Sequence, residues 1–98
     1  MTDEHREYNN NIFIGDKPSI NYATSVVMNF TTKNVDQVII KSRGKFISKA
    51  VDVSQIAINR FLKDQAEIKD IKVGSEDFVN KEGKNVRVSF IEITIKKK

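Results

Sequence analysis

Nine residues, Lys41-Ser42-Arg43-Gly44-Lys45-Phe46-Ile47-Ser48-Lys49, carry four cations and no acid. Cations at that density suit a polyanion, most simply the phosphates of a nucleic acid. The apolar residues on either side place the run where a strand gives way to a helix. A helix starts with unpaired backbone N–H groups and the positive end of its dipole, and both favour phosphate. Lys17 stands before the other helical segment in an equivalent position. Lys81, Lys84 and Arg87 lie in and beside the polar turn Asn80-Lys81-Glu82-Gly83-Lys84-Asn85. A two-stranded ribbon bearing basic side chains reaches along a groove. Each patch alone also fits an ordinary solvated surface; three on one side make a binding face. The candidate nucleic-acid-binding residues are therefore Lys17, Arg43, Lys45, Lys49, Lys81, Lys84 and Arg87.

Residue types for catalysis are scarce. The single histidine, His5, lies in the polar start of the chain, where nothing holds it against a partner. No glycine-rich phosphate loop is present. Gly44, Gly74 and Gly83 stand alone and read as turn or bulge glycines. Glu76 and Asp77 are adjacent, and neighbouring strand residues point to opposite faces, so they read as surface charges. With no cysteine, disulfides and thiolate metal sites are excluded. A binding protein is expected rather than an enzyme, with no cofactor and no metal.

The 98 residues suit one domain with a modest core. Hydrophobic residues make up 39% and charged residues 31%, a globular balance. No apolar run approaches the roughly 20 residues that span a bilayer. Residues 1–11 lack the apolar stretch of a signal peptide and read as a flexible acidic tail before a domain at 12–98, so the protein is expected to stay in the cytoplasm. The net charge of +4 is unevenly spread: residues 12–49 and 80–98 each carry +4, while 1–11 and 63–79 each carry −2.

The elements that must position these residues follow from periodicity. Ile12-Phe13-Ile14 reads as a buried strand stopped at Gly15. Pro18 suits the first turn of a helix, and Ile20, Ala23, Val27 and Phe30 then form its apolar stripe. Val35 to Lys41 reads as a strand buried on both faces or nearly so, followed by a turn at Ser42-Arg43-Gly44. A second helix from about Lys45 carries its stripe on Ile47, Ala50, Val51, Ser54, Ile58 and Phe61. Ile68 to Val79 and Val86 to Ile95 read as strands. Each changes apolar parity part-way, which predicts a bulge or change of face in both, near Asp70 in the first. The expected fold is α+β, a two-layer β-α-β-α-β-β sandwich with two helices on one face of a four-stranded mixed sheet and a protruding hairpin.

In that order the chain resembles the Alba family of archaeal chromatin proteins. The resemblance is carried by Ile12-Phe13-Ile14-Gly15, Lys17-Pro18 and Asn21-Tyr22. It continues through Ile39-Ile40-Lys41, Arg43-Gly44-Lys45 and Ile47-Ser48-Lys49-Ala50-Val51-Asp52. Asn59-Arg60-Phe61-Leu62, Val73-Gly74-Ser75, Arg87-Val88-Ser89 and Ile91-Glu92-Ile93 complete it. It implies a fold like the C-terminal domain of translation initiation factor three. It also implies a homodimer, with a paralogue as a further possible dimer partner, that binds double-stranded DNA and RNA with little sequence preference and is associated with the chromosome. The family's loop after the first strand has two lysines; here it has Asp16 and Lys17. That departure puts in doubt both the affinity of the loop and its regulation by acetylation. Asn59, Arg60 and Phe61 match the segment through which dimers meet side by side, although Phe61 also fits the core stripe of the second helix. The implied role is coating and compacting DNA; the alternative is mainly RNA work, as a chaperone or as a subunit of an RNA-processing particle. No membrane partner is expected.

Overall fold

The computed structural model describes residues 10–98. Most of the expected tail, with His5, lies outside the described residues. Its last position, Asn11, opens the first strand, and the carbonyl of Asn10 just before it accepts from the Ile39 N–H at 2.8 Å.

Strand β1 (Asn11–Phe13) is followed by helix α1 (Ser19–Thr31) and strand β2 (Gln37–Arg43). A 3-10 turn (Gly44–Phe46) leads into helix α2 (Ile47–Ile56), whose end widens into a π-helical turn (Ala57–Phe61). Strands β3 (Ala66–Val79) and β4 (Asn85–Lys97) close the chain as a hairpin. One sheet results, in the order β1-β2-β4-β3. It is parallel between β1 and β2 and antiparallel elsewhere. The α+β architecture of two helices and a four-stranded mixed sheet is as expected. A single core gathers Ala23, Val26 and Phe30 of α1, Ala50 and Val53 of α2, Val38 and Ile40 of β2, and Ile91, Ile93 and Ile95 of β4.

Several details differ from the sequence reading. Pro18 caps α1 from outside instead of entering its first turn. The buried stripe of α1 runs through Ala23, Val26, Asn29 and Phe30, while Ile20 is exposed, because the face meeting the sheet is rotated by about one position. Strand β2 is covered on one face only. Val38, Ile40 and Ser42 are buried, and Ile39 lies half-buried on the side without helices; Ser42 and Arg43 extend the strand where a turn was expected. Phe13 is 68% exposed, since β1 is an edge strand and turns it to that same uncovered side.

Helix α2 buries Ala50, Val53, Ser54 and Ala57, leaving Val51 and Phe61 exposed. The wide turn explains the shift. The Leu62 N–H reaches back five residues to the Ala57 carbonyl at 2.9 Å, which turns Phe61 outward and puts Leu62 in the core. The bulge expected near Asp70 is present, with Lys69 the extra residue between Ile68 and Asp70. Strand β4 has no bulge. Its parity change marks two apolar sets on opposite faces, Ile91, Ile93 and Ile95 beneath the helices and Val86, Val88 and Phe90 on the other side. Gly74 is neither turn nor bulge but mid-strand, opposite Phe90.

Candidate nucleic-acid interface

The two strand–helix loops leave the sheet side by side because β1 and β2 are parallel neighbours. The first is held from inside by Tyr22, one turn into α1. Its phenol oxygen accepts from the backbone N–H of Gly15 at 2.9 Å and of Lys17 at 3.2 Å. Lys49, in the first turn of α2, crosses to the same loop, and its ammonium donates to the carbonyls of Gly15 and Lys17, both at 2.8 Å. Two of its three N–H donors are thus committed to loop backbone, which makes Lys49 a clamp between the loops as well as a cation. Lys45 and Lys49 flank the Phe46 ring, at 5.3 and 5.5 Å from its centre. Lys17, Arg43 and Lys45, on these two loops and the end of β2, are exposed, as is Asp16. Gly44 has a φ of +56°, a left-handed turn that lets the chain leave β2 sharply into the basic segment.

The hairpin outruns the sheet. Strand β2 pairs with β4 only as far as Arg43 opposite Phe90, so five residue pairs, from Ser75–Ser89 to Val79–Asn85, form a free two-stranded arm roughly 17 Å long. Its turn is tied by Asn80, whose side-chain oxygen accepts from the N–H groups of Glu82 (2.9 Å) and Lys84 (3.0 Å). Lys81 and Lys84 are exposed at the tip. Arg87 is engaged within the arm: Nε and Nη2 reach the two Asp77 carboxylate oxygens at 2.9 and 3.4 Å. That hydrogen bond pushes the Arg87 pKa up. At the arm's root, Arg43 lies 3.5 Å from Glu76. Both pairs are solvated and worth little, so a phosphate competes for either cation.

Asn59, Arg60 and Phe61 lie together on the wide turn ending α2, all at least partly exposed, on a different part of the surface from the arm. On the helix-bearing side of β3, Ile71 and Val73 stand opposite the buried Ile93 and Ile91, yet are themselves 54% and 70% exposed because neither helix extends over that edge. Among the described residues, no group of three or more His, Cys, Asp or Glu is placed to hold a metal, and no helix is long and apolar enough to cross a membrane.

The profile of the family described as Alba matches residues 10–75. The chain belongs to the Alba family. A DNA/RNA-binding protein Alba of Nanoarchaeum equitans is 46% identical over 88 residues, 89% of this chain and 97% of its own length. One of Methanococcus maripaludis is 38% identical over 86 residues, 88% of this chain and 96% of its own. The structure of Alba from Thermoplasma volcanium superposes with a TM-score of 0.80 at 43% identity, covering 88% of this chain and 98% of that one. ALBA1 from Trypanosoma brucei has the same fold, with a TM-score of 0.71 at 17% identity.

Within this Alba fold, sequence reasoning had no role for Tyr22, Glu76 or Asp77 at the interface. Tyr22 reaches a backbone seven positions away, and no periodicity signals that. The two acids had a signal, because pairing the hairpin outward from its turn sets Asp77 directly opposite Arg87.

Proposed function

We propose that this chain binds double-stranded DNA, and RNA, as a homodimer and without sequence preference, coating and compacting the chromosome rather than catalysing a reaction. The observation that carries the reading is the Lys49 clamp, which joins the two strand–helix loops that bear Lys17 and Lys45, with Arg43 at the adjoining end of β2. The Alba relatives named as DNA/RNA-binding support it. Cations at such a patch displace condensed counterions from the duplex, and that release drives binding. The arm carries Lys81, Lys84 and Arg87 along the groove. Among the described residues no helix stands free of the body to enter a groove and read bases, so phosphate contacts dominate. The apolar edge at Ile71 and Val73, with Val51 of α2, offers the surface on which two copies meet. Asn59, Arg60 and Phe61 then link neighbouring dimers.

Fluorescence anisotropy with two unrelated DNA duplexes and one RNA duplex, at several salt concentrations, tests the proposal. The two DNA duplexes bind equally, RNA also binds, and log K falls linearly with log salt. A strong preference for one DNA sequence, or affinity indifferent to salt, contradicts it.

A further inference from the structure

The sheet face without helices carries Arg43 at its edge but is otherwise free of the residues assigned above to duplex binding. Strand register lays it out in rows. Phe13, Lys41, Glu92 and Lys72 stand side by side across all four strands; Arg43, Phe90 and Gly74 form the next row, then Val88 and Glu76. Between the first rows lies an open groove of about 520 Å³, lined by Phe13, Lys41, Arg43, Phe90, Glu76 and Glu92 among others. Small-ligand sites span about 300–1,000 Å³.

Three aromatic residues line this groove: Phe46 of the strand–helix turn, Phe13 and Phe90. Phe13 stands 68% exposed, with the Lys41 ammonium 5.9 Å from its ring centre. Phe90 lies down against the sheet: a Cβ built on Gly74 would fall 2.7 Å from its ring, so only glycine there lets the ring pack so close. An exposed ring beside cations on an open sheet is how sequence-tolerant proteins hold unpaired bases.

We propose that this groove takes an unpaired nucleotide of a single strand, its base stacked on Phe13 and its phosphate at the rim beside Lys41 and Arg43. The inference rests on the nucleic-acid reading above and shares Arg43 with it, but seats the base on Phe13 of the uncovered sheet face. Glu76 and Glu92 repel phosphate from the groove, which orients the nucleotide base-inward. Cations and acids balance on this face, so stacking rather than counterion release supplies its affinity. A duplex, whose bases are already stacked on one another, has no base to offer.

The test is a fluorescence titration with single-stranded RNA carrying 2-aminopurine, a matching single-stranded DNA, and a duplex of the same sequence. Binding of either single strand quenches the fluorophore as it stacks. Phe13→Ala weakens single-strand binding about tenfold, with the salt slope and the duplex affinity unchanged, and Phe13→Tyr retains binding. The exposure of Phe13 means the fold survives either change. Unaltered single-strand affinity in Phe13→Ala, or an equal loss on duplex, overturns the inference. A wild-type protein that binds duplex but not single strands overturns it while leaving the proposed function standing; one that binds neither overturns both.

Discussion

Asp16 places a carboxylate beside Lys17, on the loop where the Alba resemblance leads one to expect a second lysine. It is exposed, so nothing in the fold requires an acid there. Near a phosphate it repels the ligand and offsets its neighbour's charge. Asp16→Lys therefore tightens duplex binding and steepens the dependence of log K on log salt by about 0.9 for each further phosphate neutralised, which titrations at three salt concentrations measure. Lys49 acts differently from its neighbours. Its replacement by methionine removes a charge and also releases the carbonyls of Gly15 and Lys17. The loss of affinity in Lys49→Met accordingly exceeds that in Lys45→Met, measured in the same titration. The cations themselves were legible in the sequence as composition at a strand–helix junction. That Lys49 is turned onto loop backbone was not, because a hydrogen bond across 34 positions depends on the parallel pairing of β1 with β2.

Among the elements, the end of α2 departs most from its apolar periodicity. Phe61 continues a stripe drawn at 3.6 residues per turn, and Leu62 interrupts it; the widened turn reverses the two. Phe61 is 46% exposed and Leu62 1%. Leu62→Ala consequently costs about 2–5 kcal/mol, visible as a large drop in the melting midpoint. Phe61→Ala stays within about 1 kcal/mol of wild type while lowering the cooperativity of binding to long DNA. Equal losses of stability in the two variants would return Phe61 to the core. Strand β4 teaches a related lesson. Its parity change was visible, but sequence cannot distinguish a bulge from a strand with apolar residues on both faces. Pairing settles it, because β4 advances one residue per step from Val86 to Ile95, and the extra residue of its ladder, Lys69, lies on β3. Element order, by contrast, was plain from the glycine and proline punctuation and the changes of period.

The whole molecule leaves β3 only half covered, and its exposed Ile71 and Val73 are where the proposed dimer meets. Val73→Glu puts a charge where the account places the dimer seam. Val73 is 70% exposed in the single chain, so the variant folds but runs as a monomer by light scattering at concentrations where the wild type is a dimer. A wild-type monomer, or a Val73→Glu variant that stays dimeric, removes that seam. One cationic surface, built from the two clamped loops, is proposed to meet the phosphates. It is tested most directly by the salt slope of duplex binding in single alanine variants of Lys17, Arg43 and Lys45, set against Lys33→Ala. Lys33 lies beyond the opposite end of α1, a helix length or roughly 20 Å from Lys17. Each of the first three lowers the slope by about 0.9 for each phosphate no longer neutralised, alike for unrelated sequences, while Lys33→Ala leaves it unchanged. A uniform effect of all four, or no effect of the three loop residues, would contradict it.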